Sequence, residues 1–271
     1  MFPISVAVIA VALLLSSGRS LPVPVVDLLD EYLSGDGSST NSLVAIGYGI
    51  GIGAAFTPLR LYLRYFATVV HELGHAFMAG ALLARPKSIH IHPSSSGLAI
   101  YELSPNWGRF RATLVSAAGY PAPSIAALAA INAVQQGRTM AWAVFSVAVL
   151  SLSVVLLIRN LWGFVWTASV IGASYYGYDK LPVDLVGAVV AAISGYLALS
   201  SVQFAWTQLT LTRRFRGAGV DAESIEAFTK IPAKVVATGH LLVTLVLGYL
   251  SLKLALGPKW SEIDQWIRDL Y

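Results

Sequence analysis

The feature of this sequence that most restricts its fold is a series of long apolar segments with almost no charged side chains. Only 12% of the 271 residues are charged, against about 25% in soluble domains. In lipid, backbone groups must satisfy their own hydrogen bonds, which favours helices for spans of this length. We therefore expect an all-α polytopic membrane protein with about six to seven transmembrane helices. The expected helical segments are 43–56, 59–84, 110–134, 140–158, 160–178, 185–211 and 232–256.

Polar stretches divide the chain into three parts. Residues 1–42 hold an apolar segment at 3–15, which is short for a membrane span and lacks the basic start of a signal peptide, and an acidic loop. Residues 43–256 are expected to form one membrane-embedded domain, and 257–271 an amphipathic tail suited to the membrane interface. The first apolar segment contains small-x-x-x-small pairs that permit close helix packing in lipid, formed by Gly47, Gly49, Gly51 and Gly53.

An H-E-x-x-H motif lies inside the otherwise apolar stretch 69–78. On a helix, His71 and His75 share one face, and two imidazoles placed in this way can bind one Zn²⁺. Glu72 beside them can act as a general base for water that the metal activates. The alternative is a buried helix whose histidines are hydrogen-bonded. That alternative leaves a carboxylate in an apolar run without a partner, which is costly in a core or a bilayer. The motif therefore predicts a zinc site.

A third protein ligand is expected for a catalytic zinc, and the absence of cysteine restricts it to His, Asp or Glu. Elimination by position leaves five carboxylates, namely Asp179, Asp184, Asp221, Glu223 and Glu226. Asp221 follows Gly217-Ala218-Gly219, a flexible approach that would let its loop fold towards the metal. The same residue could instead cap a helix over 222–229. The residues alone support Asp221 and the Asp179/Asp184 pair equally.

A β-hairpin is predicted directly after the metal-binding helix. Residues 88–92 alternate polar and apolar side chains, 93–97 contain turn residues, and 98–101 suit a returning strand. Its edge could hold an extended peptide by β-addition, or the element could be a plain surface hairpin. His90 and His92 share one face of the first strand, where they could form a second metal site or only a solvated polar face.

With these motifs in place, the chain resembles the site-2 protease-like membrane zinc metallopeptidases, in particular their compact bacterial and plant-type branch without a PDZ domain. The resemblance covers about residues 60–250 in the family's order. It is carried by His71-Glu72-Leu73-Gly74-His75, Ala118-Gly119-Tyr120-Pro121, Arg159-Asn160-Leu161-Trp162-Gly163, Val220-Asp221-Ala222 and Thr229-Lys230-Ile231-Pro232. The chain departs from the family in two places: it lacks the Asp-Gly signature in a late helix, and Val220 stands where the compact branch usually has Ser.

The resemblance implies that His71, His75 and Asp221 bind Zn²⁺ and that Glu72 is the general base. We therefore expect a multi-pass intramembrane zinc metalloprotease of the cell membrane that hydrolyses peptide bonds in membrane-associated protein substrates. Asn160 could stabilise the oxyanion or only cap a helix end. The expected partners are the lipid bilayer and a membrane protein or peptide substrate, and no basic patch indicates nucleic-acid binding.

Two other functions compete with proteolysis. The chain could be a non-catalytic zinc-containing membrane protein that binds client transmembrane helices, although a purely structural zinc site has no use for Glu72. A metal or proton transporter would need polar residues on several membrane helices. The segments 110–134, 140–158 and 185–211 contain no acidic residue, which argues against transport.

Overall fold

A computed structural model describes residues 41–102, 108–178, 180–215, 217 and 219–257. The apolar segment at 3–15, the acidic loop up to residue 40 and the amphipathic tail from residue 258 lie outside these described residues. The described part is mostly helical, as expected. Its elements are α1 Asn41–Ala54, α2 Arg60–Ala81, β1 Arg85–Ile91, β2 Gly97–Glu102, α3 Arg109–Ala117, α4 Ala122–Gln135, α5 Thr139–Leu156, α6 Leu161–Tyr178, α7 Val183–Arg214, α8 Asp221–Thr229 and α9 Ala233–Leu256.

Three of these helices, α5, α7 and α9, are long and apolar enough to cross a membrane, and the bent pair α3–α4 would be a fourth span. The expected count of six to seven is therefore not confirmed in the described part of the chain. Helix α1 has only 14 residues, fewer than the roughly 20 that a span needs. Helix α2 has 22 residues, but arginines and the H-E-x-x-H motif lower its hydropathy.

The segment 110–134, expected to be one helix, is two helices bent by 57°. The break falls at 118–121, between α3 and α4. Pro121 lies at this point, and proline both removes a backbone donor and obstructs a helix that would continue through it. The bend matters for function because it brings residues 119 and 120 against the motif of α2.

Helix α7 is the centre of the bundle. In its most apolar stretch of 18 residues, 56% is buried, against 17% for the corresponding stretch of α5 and 22% for that of α9. Helix α1 packs closely on it, because Cβ atoms added at Gly47 and Gly51 would overlap the backbone carbonyls of Ala188 and Ala192. The small-residue contact predicted from the sequence is thus confirmed for Gly47 and Gly51. Glycines 49 and 53 face open space instead.

The predicted hairpin is confirmed as an antiparallel pair in which Ile89 faces Ala99 and Ile91 faces Gly97. The second edge of β1 is covered by the connection between α5 and α6. The Ile89 N–H donates to the Leu157 carbonyl at 2.7 Å, and the Arg159 N–H donates to the Ile89 carbonyl at 3.2 Å. Within the described residues, β2 pairs with no other strand on its outer side.

The hairpin is fixed to α2 at its turn. The Tyr65 hydroxyl donates to the Pro93 carbonyl at 2.6 Å, and the Thr68 hydroxyl donates to the Ser95 carbonyl at 2.8 Å. The buried side chains of β1 pack with α2 and α6 in one apolar cluster that includes Tyr65, Val69, Ile89, Ile91 and Trp166. As a result, β2 begins beside the metal motif.

Candidate active site

The H-E-x-x-H motif lies on α2, as the sequence predicts. The Nε2 atoms of His71 and His75 are 3.2 Å apart, and the two rings meet edge to face with centroids 4.8 Å apart. His75 and Glu72 are buried, each with 6% of its surface exposed. The helix thus presents two imidazole nitrogens at one point and holds a carboxylate beside them.

Asp221 completes this group from about 150 residues further along the chain. Its Oδ2 atom lies 3.1 Å from the His75 Nε2 atom and 3.4 Å from the His71 Nε2 atom. A tetrahedral zinc ion with ligands at about 2.0–2.1 Å separates its ligand atoms by roughly 3.3 Å. The triangle of two nitrogens and one oxygen therefore fits a metal ion. In the part of the chain that the structure describes, this is the one group of three or more His, Cys, Asp or Glu residues whose ligand atoms converge.

The imidazole of His75 is oriented by a backbone contact. Its Nδ1 atom lies 2.7 Å from the Val115 carbonyl in α3 and donates to it, which turns Nε2 towards Asp221, where that nitrogen can bind a metal once it is deprotonated. The Nδ1 atom of His71 is buried and has no hydrogen-bond partner among the described residues. The His71 ring instead meets the Tyr120 ring edge to face, with centroids 4.9 Å apart.

The bend between α3 and α4 brings Gly119 against both histidines. A Cβ atom at this position would overlap the His75 Nε2 atom and would lie 2.7 Å from the His71 Cε1 atom. Only glycine lets the chain pass so close to the two rings. The close approach of the bend to the motif therefore requires glycine at position 119.

The Asp221 carboxylate is positioned by the start of α8. Asp221 is the first residue of that helix and Val220 occupies the N-cap position, so the alternative in which Asp221 is the N-cap is wrong. Burial alone would raise the pKa of Asp221. Hydrogen bonds from His71 and His75, together with their charges, outweigh burial and hold this pKa below its usual range. This shift favours the ionised form of Asp221, which is the form that binds metals.

The loop before α8 is held by Glu223, a role that the sequence did not reveal. Its carboxylate accepts hydrogen bonds from the backbone N–H groups of Gly217 at 2.9 Å and Gly219 at 2.8 Å. Both glycines have a left-handed backbone, with φ values of +80° and +70°. The glycines that we expected to let this loop approach the metal thus form a defined turn around a carboxylate.

The other candidate ligands lie elsewhere or outside the described residues. Asp179 lies outside the described residues. Asp184 is in the first turn of α7 and lies far from the metal-ligating group. Gln208, which contacts the residues behind the two histidines, is about 36 Å further along the same helix at about 1.5 Å per residue. Glu226 accepts a hydrogen bond from the Ala233 N–H at 3.2 Å.

The second metal site considered for His90 and His92 gains no support. The His90 Nε2 atom lies 3.2 Å from the Ser88 hydroxyl, and His92 is exposed. Neither residue belongs to a metal-ligating group within the described residues. The polar-face alternative accounts for both.

Glu72 faces the outer edge of β2. A Cβ atom at Gly97 would lie 2.6 Å from the Glu72 Cγ atom, and the Ala99 backbone interacts with the carboxylate. The hydrogen-bond pattern of the hairpin explains the contact between Glu72 and the Ala99 backbone. Ile89 directs its N–H and carbonyl away from β2, towards residues 157–159, so its partner Ala99 must direct its own polar groups to the outer edge. Glu72 therefore lies beside an edge of β2 that pairs with no other strand among the described residues.

Asn160 holds the opposite edge of the hairpin. Its Oδ1 atom accepts from the Ile91 N–H at 3.0 Å, and its Nδ2 atom donates to the Ile91 carbonyl at 2.6 Å. The side-chain amide thus replaces a neighbouring strand on the outer side of β1. Because both strands separate it from Glu72, the oxyanion role considered for Asn160 is not supported.

A layer of aromatic and polar side chains lies behind the histidines. Tyr120 stacks on His240 with ring centroids 5.2 Å apart, and the His240 Nδ1 atom lies 2.9 Å from the Gln208 Oε1 atom. His240 is thus a buried, hydrogen-bonded histidine. Sequence reasoning did not assign a role to Tyr120. Its only signal was its place in the Ala118-Gly119-Tyr120-Pro121 motif.

A pocket with a volume of about 220 Å³ opens beside Glu72, between α2, the hairpin turn and α7. Its lining combines polar and apolar side chains. It includes Arg64, Thr68, Glu72, Gly97, Tyr120 and Thr207. The pocket gives a ligand access to the carboxylate and to the metal-ligating group from one side.

A helical membrane protein that brings two histidines and an aspartate together beside a buried glutamate has the arrangement of a membrane metallopeptidase. The family model described as Peptidase M50B-like matches residues 45–251, which is most of the chain, and the chain belongs to this family. No curated protein and no solved structure matches the chain. The resemblance to the site-2 protease family is therefore confirmed.

Proposed function

We propose that this protein is an intramembrane zinc metalloprotease that hydrolyses peptide bonds of membrane-associated protein substrates. The observation that carries the proposal is the convergence of His71 Nε2, His75 Nε2 and Asp221 Oδ2 within 3.1–3.4 Å of one another, with Glu72 on the same helix. Membership of a metallopeptidase family supports the same reaction class.

The donor set favours zinc. Two imidazole nitrogens and one carboxylate oxygen match catalytic zinc sites, which keep one further position for water or substrate. His71, His75 and Asp221 would hold the ion, and zinc supplies Lewis acidity that makes water more acidic and polarises a carbonyl. Orientation of His75 by the Val115 carbonyl is the kind of outer contact that such sites use.

Glu72 is the proposed general base. Its carboxylate follows the first ligand in sequence, is buried, and borders the pocket. In the proposed reaction it accepts a proton from the attacking water and returns that proton to the leaving amine nitrogen. Gly97 and the Ala99 backbone limit the freedom of the side chain, and a fixed carboxylate transfers protons without first having to reorganise.

The outer edge of β2 is the proposed binding site for the substrate backbone. Ile91 directs its N–H and carbonyl to Asn160, so its partner Gly97 presents its own polar groups outward, as Ala99 does. An extended peptide can pair with these groups by β-addition. Because Glu72 touches this edge, a peptide bound here would have its scissile carbonyl beside the base.

The test is Glu72→Gln, which keeps the size of the side chain and removes its basicity. We expect the variant to retain zinc at the wild-type level, measured by elemental analysis. We also expect it to cleave a reporter membrane peptide about 10²–10⁴-fold more slowly. Cleavage by the variant at the wild-type rate would refute the proposal. Peptide binding without cleavage by the zinc-loaded wild type would instead support the client-binding alternative.

A further inference from the structure

One cation borders the pocket and has no role in the proposed reaction. Arg64 precedes Thr68 by four residues and His71 by seven, so all three lie on one face of α2. Arg64 and Glu72 are the charged side chains that line the pocket. Arg64 is exposed, and the ion pairs between described residues do not include it.

The charges around the pocket indicate which kind of ligand Arg64 would bind. A divalent ion would be matched by the carboxylates of Glu72 and Asp221, with neutral imidazoles as ligands. Arg64 then leaves the pocket with a net positive charge. A peptide group of opposite charge would form a charge-assisted hydrogen bond with the guanidinium, which has the geometry to bind a carboxylate in a bidentate manner.

The position of Arg64 relative to the hairpin determines how many substrate residues lie between the scissile bond and the guanidinium. The turn of the hairpin rests on Tyr65 and Thr68, next to Arg64, while Gly97 rests on Glu72. Along α2, seven residues separate His71 from Arg64 by about 10 Å. An extended peptide advances about 3.3 Å per residue. A peptide paired with β2 would therefore reach the guanidinium about three residues from the bond beside Glu72.

We propose that Arg64 is a specificity-determining residue that selects substrates with an acidic side chain about three residues from the scissile bond, on the side towards the hairpin turn. This inference rests on the proposed function, because it assumes a peptide in the pocket. It adds the chemical class of the substrate, which the metal group and the base leave undefined.

The test compares single-span peptides in neutral detergent micelles, which contain no lipid phosphate to compete for Arg64. Each peptide carries one Glu, one Gln or one Lys at positions two to four on either side of the scissile bond. We expect kcat/KM of the zinc-loaded protein to be about 10-fold higher for Glu at one position on one side. This preference should disappear in Arg64→Gln. In Arg64→Glu it should reverse in favour of a Lys peptide.

Arg60→Gln is the matched control, because Arg60 is an exposed arginine one turn earlier on α2 that does not line the pocket. It should keep the preference for Glu. An unchanged preference in Arg64→Gln would overturn the inference. An equal loss in Arg60→Gln and Arg64→Gln would also overturn it, since both arginines would then act as general charges at a membrane interface.

A binding measurement separates this inference from the proposed function. Fluorescence anisotropy with the Glu72→Gln variant compares the affinities of the Glu and Gln peptides without any cleavage. A preference for Glu that Arg64→Gln removes supports Arg64 recognition even if the wild type cleaves nothing, which would refute the protease function alone. Equal affinity for both peptides, together with normal cleavage by the wild type, would refute the Arg64 inference alone.

Discussion

Replacement of Gly119 by Ala should weaken metal binding without changing any ligand. The added Cβ would overlap the His75 Nε2 atom, and would lie 2.6 Å from the His75 Cε1 atom and 2.7 Å from the His71 Cε1 atom. Non-bonded carbon atoms prefer about 3.5–4.0 Å. At least one ring must therefore move by about 1 Å, whereas metal–ligand distances tolerate only about 0.2 Å.

The backbone does not complicate this prediction. Gly119 has no left-handed φ, so alanine can adopt its conformation without strain. We expect the zinc affinity of Gly119→Ala to fall at least 10–100-fold, roughly the loss found when groups around metal ligands are altered. Competition with a chelator of known affinity measures this loss in purified protein. His75→Ala provides the reference for complete loss of the site.

Gly49→Ala is the control for a glycine that has open space around it. It adds the same methyl group within α1 and should leave zinc affinity unchanged. Circular dichroism shows whether Gly119→Ala retains its helical content. A folded Gly119→Ala protein with wild-type zinc affinity would refute the packing of the bend against the histidines, and with it the proposed metal site.

Three further predictions concern the base, the third ligand and the hairpin. Gly97→Ala displaces Glu72, so cleavage should fall about 10²-fold or more while zinc content stays at the wild-type level; loss of zinc would contradict this separation. Asp221→Ala should lose zinc and Asp184→Ala should keep it, as elemental analysis of the two variants would show, and the reverse result would exclude the proposed third ligand. Asn160→Ala should destabilise the β1 edge by about 1–3 kcal/mol and speed amide hydrogen exchange there. Lost activity with unchanged exchange would revive the oxyanion role.

The residues of α2 could be predicted from the sequence because their arrangement is local. Helical periodicity alone places His71 and His75 on one face, and the observed helix over 60–81 lies within the expected 59–84. Asp221 could not be fixed in the same way, because its distance from the histidines depends on how α7, α8 and α9 pack. Elimination left it level with two other aspartates. The family resemblance favoured Asp221.

The bend at 118–121 and the closed edge of β1 were missed for different reasons. The mostly apolar composition of 110–134 masked the bend, although Gly119, Pro121 and Pro123 were available signals. The edge of β1 is closed by a short connection, residues 157–160, which has no strand periodicity of its own. This pairing matters for the peptide hypothesis, because it leaves β2 as the edge that can accept a substrate.

The site also shows how several ionisable side chains can share one position in an apolar bundle. The surrounding backbone orients the groups: the Val115 carbonyl contacts His75, β2 contacts Glu72, and Asp221 lies in the first turn of α8. A carboxylate in that turn is stabilised by the positive end of the helix dipole. With both carboxylates ionised and both imidazoles neutral, as metal binding requires, the site would carry about two negative charges, which an apolar setting tolerates poorly. A divalent cation at the three converging ligand atoms would balance them. The charge and the geometry of the site therefore both favour a divalent cation at this position.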